Sequence, residues 1–82
     1  MLFRSLEGAN LYKADIERAN LQDANLRGAN LEEANLNWAW FADADLREAN
    51  LQDADLHRSV LEHAKLQGAK LEGAKLKGAH LR

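Results

Sequence analysis

Leucine, or a close substitute, recurs at every fifth position from Leu6 to Leu81, and few chain conformations can use such a spacing. Hydrophobic period is the primary structural signal in a sequence. Five residues of α-helix advance about 500°, or about 140° past a full turn. Leucines so spaced would spiral around a helix without making an apolar face. A flat strand fails as well, because its side chains alternate with period two and every second leucine would point the wrong way. A short extended segment followed by a sharp corner does repeat every five residues. With corners of about 90°, four units close a square coil, and successive coils stack at the strand spacing of about 4.8 Å.

The composition of each slot agrees. The central residues are Leu6, Leu11, Ile16, Leu21, Leu26, Leu31, Leu36, Phe41, Leu46, Leu51, Leu56, Leu61, Leu66, Leu71, Leu76 and Leu81. Two positions before each centre stands alanine, except at Arg4 and Ser59. Residues two apart in an extended segment point the same way, so centre and alanine both face inward. The remaining three slots are mostly Asn, Asp, Glu, Gln, Arg, Lys and Gly and are expected to face water. Gly8 and Gly28 take corner positions, where a positive φ is useful. Asn10, Asn20, Asn25, Asn30 and Asn35 each precede a centre. Stacked at the coil spacing, they are expected to hydrogen-bond to each other or to the corner backbone.

The pattern, best seen from Ala19 to Leu36, resembles the pentapeptide-repeat family, whose motif is A-(D/N)-L-x-x. The resemblance covers roughly residues 4–82 in sixteen consecutive units. It implies an all-β fold: a right-handed quadrilateral β-helix, here of about four coils and with no long helices. On this reading residues 1–5 form an N-terminal cap and residues 6–82 the β-helix. Leu2 and Phe3 would cover the first coil or dock against a preceding domain. The resemblance further implies a non-enzymatic structural or protein-interaction module. Some family members look like DNA and bind DNA gyrase, so a DNA-mimic that binds a type II topoisomerase is the alternative.

Charge weighs against that alternative. The 82 residues carry a net charge of −2, with 11 Lys+Arg and 13 Asp+Glu. Residues 1–62 hold six basic and twelve acidic residues, a net of −6, while residues 63–82 hold five basic and one acidic, a net of +4. A DNA mimic needs a long acidic surface, and this one is short and ends in a basic coil. With no cysteine, the chain has neither a disulfide framework nor a thiolate metal site. No run approaches 18 apolar residues, and the first residues lack a signal-peptide pattern, so a cytoplasmic protein without membrane contact is expected.

No catalytic constellation is visible. Serine occurs only at Ser5 and Ser59, and Ser59 should point inward. The carboxylates are spread over flat faces, the glycines sit singly, and a leucine-filled coil leaves no pocket. His57 and His63 fall on different faces and read as solvated. No cofactor, metal or small-molecule substrate is expected.

The pattern lapses in two places. At Trp38, Trp40 and Phe41, aromatic residues replace a corner residue, an asparagine and a leucine. A register of twenty residues would place Trp38 between Arg18 and Arg58, and Trp40 beneath Val60. These five residues are either a cover over the coil edge or a docking patch for another protein or a second copy of this chain. The other lapse is a basic end at Lys65, Lys70, Lys75 and Lys77. It reads as protection of an edge against strand addition, or as an anion-contacting end. Without an aromatic platform it does not call for nucleic acid.

Overall fold

The computed structural model describes residues 5–82. The expected cap residues Leu2 and Phe3 lie outside the described residues. Every described unit repeats one conformation: a single bridging residue, an inward centre and a two-residue turn. Twelve parallel bridges join residues twenty apart. They fall into four columns: Ser5, Asn25, Asp45 and Lys65; Asn10, Asn30, Asn50 and Lys70; Asp15, Asn35, Asp55 and Lys75; Asn20, Trp40, Val60 and His80. Among the described residues there is no helix. The molecule measures 29 × 23 × 21 Å.

Each corner is closed by the residue after the turn. The amide of Ala29 donates to the Leu26 carbonyl at 3.0 Å, and fifteen corners from Leu6–Ala9 to Leu76–Ala79 repeat this bond. The second central residue of each corner has φ between 58° and 78°. One positive φ at that position defines a type II turn, which favours glycine. Glycine fills only five of the fifteen, and Lys, Arg, Asp, Glu, Trp and His fill the others. Left-handed backbone costs an L-residue about 1–2 kcal/mol. None of the ten is β-branched, the class for which the cost is greatest.

Bonds between rungs offset that strain. The Leu26 amide donates to the Asp45 carbonyl at 2.8 Å, the Gly28 amide to the Arg47 carbonyl at 3.0 Å, and the Asn50 amide to the Ala29 carbonyl at 2.9 Å. The same three bonds recur along the stack. Each unit is thereby tied both to the rung before and to the rung after, which is how repeat proteins sum weak units into a stable whole.

The core lies in the middle of the stack. Leu26, Leu31, Leu36, Phe41, Leu46, Leu51 and Leu56 are completely buried, with the alanines from Ala24 to Ala54 beside them. Leu6, Leu11, Ile16 and Leu21 on one side and Leu66 and Leu76 on the other are only partly buried. Leu81 remains 56% exposed. A rung needs neighbours on both sides to exclude water from its centres. Ser59 is fully buried in an alanine slot, and its hydroxyl donates to the Leu56 carbonyl at 2.9 Å, so no polar atom is stranded.

The asparagine slot resolves the two options left by the sequence. Its side-chain oxygen accepts the amide two residues on at nine positions, as from Glu32 to Asn30 at 3.0 Å and from Gln52 to Asn50 at 3.0 Å. Asp15, Asp45 and Asp55 do the same work. A bond up the column is exceptional, as from the Asn35 amide nitrogen to Asp15 at 3.3 Å. Asn or Asp at this slot therefore caps the corner that follows.

Candidate functional site

Departures from the repeat concentrate on one face. Sixteen residues occupy the slot before a centre, and only Trp40 and Val60 among them are apolar. They are consecutive members of one column, bridged directly to each other. Sixteen residues follow a centre, and Ala42 alone among them is small and apolar. It stands beside Trp40. Trp38 completes the group at the preceding corner. Trp38 and Trp40 are 47% and 49% exposed, while Val60 and Ala42 are half-buried.

Trp38 has a positive φ of 63°, which sends its indole outward from the corner. The next residues in its column are Arg18 and Arg58. Their guanidinium carbons lie 5.8 Å and 5.4 Å from the ring centre. Each contact is worth about 0.5–1 kcal/mol at an exposed site. Arg18 also lies 3.8 Å from Glu17, in a solvent-exposed pair that adds little. Among the described residues Trp40 has no such cation partner. Its backbone keeps the regular bonds, with its amide donating to the Ala19 carbonyl at 2.9 Å. Its slot has lost the carboxamide cap, so tryptophan here gives up a turn contact and exposes apolar surface. A shallow depression beside Val60 and Glu62, edged by His80 and Arg82, continues the same face.

The basic residues do not gather in this way. Lys65, Lys70 and Lys75 belong to three different columns, above Asp45, Asn50 and Asp55. Lys77 sits at the corner after Lys75. They ring the stack and do not share a face.

Three arrangements were not anticipated from the sequence. His57, read from the sequence as a solvated histidine, has its Nδ1 2.5 Å from Asp55 Oδ1. The signal was an Asp two residues before a His: Asp55 also accepts the His57 amide at 3.2 Å, which draws the ring over the carboxylate. Arg47 repeats the geometry on Asp45, with contacts of 2.8 and 2.6 Å. That two-pronged hydrogen bond holds the Asp45 carboxyl well below the usual carboxylate range and raises the Arg47 guanidinium. Tyr12, half exposed, is covered by the Lys13 ammonium at 5.4 Å from its ring centre.

The carboxylates of Glu32, Glu33 and Asp53 come within 4.8 Å of one another at the surface. Lys13 lies 3.8 Å from Glu33 and offsets part of that charge. Among the described residues no nucleophilic side chain is hydrogen-bonded to the His57–Asp55 pair.

A profile of the pentapeptide repeat region matches residues 5–81. No curated protein matches the sequence. Among solved structures, alr5209, a pentapeptide repeat protein from Nostoc, is 38% identical over 90% of this chain and 65% of its own, with a TM-score of 0.58. HetL, a pentapeptide repeat protein involved in heterocyst differentiation regulation in the cyanobacterium Nostoc, is 30% identical over 93% of this chain and 48% of its own, with a TM-score of 0.51. A pentapeptide repeat protein from the Arabidopsis thaliana thylakoid lumen is 29% identical over 95% of this chain and 58% of its own, with a TM-score of 0.55. This chain thus spans between about half and two-thirds of the length of these relatives.

Proposed function

The chain belongs to the pentapeptide-repeat family, and from that premise we propose that it is a non-enzymatic interaction module whose docking surface is the Trp40 face. The carrying observation is the convergence of Trp38, Trp40, Ala42 and Val60, which replace polar residues at outward positions and meet on a single face. An apolar patch with a polar rim on an otherwise hydrophilic surface is the usual mark of protein contact. Tryptophan and arginine are also the residues that most often dominate such contacts.

The finer architecture is part of the same proposal: a right-handed quadrilateral β-helix of about four coils. The twenty-residue bridge offset and the four columns support the count. The docking surface would then occupy one flat side and the lysines the last coil. A cytoplasmic location completes the proposal, with cell fractionation as its check.

A photo-crosslinking residue at position 40, compared with one at position 50 two columns away, tests the docking surface. Protein adducts at position 40 and none at position 50 are expected in extracts of the native cell. Equal yields at the two positions would refute the assignment of the face.

A further inference from the structure

We propose that the Trp40 face binds a second copy of this chain, packed face to face about a two-fold axis that runs parallel to the stacking direction. The proposal rests on the docking reading above and names its occupant.

Three columns border this face, because the short segment that carries Trp40 is flanked by the corner holding Trp38 and the corner holding Ala42. The first is Arg18, Trp38 and Arg58; the middle one is Asn20, Trp40 and Val60; the third is Gln22, Ala42 and Glu62. A two-fold axis lying in the interface along the middle column preserves height and exchanges the first column with the third. Such an isologous contact must be self-complementary, with each residue meeting its exchange partner. Trp40 then packs on the partner's Trp40 and Val60 on the partner's Val60. Trp38 meets the partner's Ala42, Arg58 meets the partner's Glu62, and Arg18 meets the partner's Gln22.

Each pairing is chemically matched. Ala42 is the single small apolar residue in a slot that otherwise holds polar side chains or Tyr12, and it belongs to the same rung as Trp38. It clears room for that indole and leaves no polar group to desolvate. Arg58 and Glu62 carry opposite charges, and among the described residues neither has a salt-bridge partner within the chain. Arg18 can donate to the carboxamide of Gln22. A competing two-fold axis, perpendicular to the stack and at the height of the Trp38–Trp40 rung, would set Arg18 against the partner's Arg58 and Trp38 against the partner's Trp38. Like charges opposed across an interface disfavour that arrangement. Charge and volume therefore select the parallel dimer.

One side of a block 29 × 23 × 21 Å offers less area than stable dimers bury. The expected complex is a weak, concentration-dependent dimer in which Trp40 is the central anchor.

Sedimentation velocity over a concentration series tests it. The native chain should shift from monomer towards dimer as concentration rises. Trp40→Asn should raise the dissociation constant at least ~10-fold, the scale of a central anchor residue. Asn occupies this slot elsewhere in the stack, so the fold should persist, which circular dichroism checks. Arg58→Glu and Glu62→Arg should each weaken the dimer, and the two changes in one chain should restore it. A monomer at every concentration would overturn the proposal, as would a charge swap that restores nothing or an Arg58→Glu variant that dimerises more tightly. A monomer that still crosslinks to another protein through position 40 would remove the second copy as occupant but leave the docking face standing. The absence of both signals would remove both.

Discussion

The guanidinium of Arg58 sits 5.4 Å from the centre of the Trp38 indole, and Arg18 sits 5.8 Å from the same centre. Three residues spaced by twenty in sequence are consecutive members of one corner column. This relationship separates the two tryptophans. Trp38 is engaged by its own chain through cation–π contacts, whereas Trp40 presents apolar surface without such partners among the described residues. Arg18→Ala and Arg58→Ala should each lower the unfolding free energy by about 0.5–1 kcal/mol. Urea denaturation followed by tryptophan fluorescence would measure this. In a Trp38→Leu background the same changes should have little effect, and an undiminished effect there would show that the arginines act elsewhere.

Core substitutions should report position along the stack. Leu46 is completely buried, and Leu46→Ala should cost about 2–5 kcal/mol. Leu81 is 56% exposed, so Leu81→Ala should cost less than about 1 kcal/mol. Equal losses in thermal or urea unfolding would contradict the graded burial.

The corners permit a test of backbone strain. Asp43 holds φ at 60° in the left-handed region, and among the described residues no group donates a hydrogen bond to its carboxylate. Asp43→Gly should raise stability by up to about 1 kcal/mol, since relief of strain is partly offset by glycine's greater unfolded-state freedom. Gly28, with φ at 67° and open space around its missing Cβ, supplies the reverse case. Gly28→Ala should cost about 1 kcal/mol through backbone alone. Unchanged melting temperatures in both variants would mean that the corners are not strained.

Asp45 should make the stack acid-sensitive. Its carboxyl is held below the usual range by the Arg47 guanidinium, so the folded state binds a proton there less readily than the unfolded chain. The resulting stability is present above the unfolded carboxylate value of about 3.9 and is lost as pH falls through the depressed folded value. Asp45→Asn keeps an oxygen to accept the Arg47 amide but removes the charge. It should flatten the decline of stability below about pH 4. Urea midpoints at several pH values would show this, and parallel curves for the two proteins would exclude the contribution.

The topoisomerase alternative has its own assay. The Trp40 face and the dispersed lysines of the last rung interrupt any continuous acidic surface. DNA gyrase supercoiling should therefore proceed unimpeded at micromolar protein. Inhibition would favour the DNA-mimic reading.

The five-residue period alone determines that this chain coils in units of five, with leucine and alanine inward and the rest outward. That follows because no helix or flat strand can keep leucines five apart on one side. Recurrence at twenty also makes Arg18, Trp38 and Arg58 neighbours on paper. Only the tertiary structure decided the rest, because repeating slots specify a direction for each side chain but not its contacts. The Asn and Asp oxygens turn to the corner amides, and among the described residues Asn35 and Asp15 alone also bond along a column, since an amide two residues away is nearer than the next rung. All fifteen corners are left-handed, glycine or not, because the bonds between rungs impose one backbone on every unit. Asp55 draws in His57 through a local turn that a search for metal-ligand spacing passes over. The lysines that look like one basic end are spread over three columns, because the coil turns a corner between each of them.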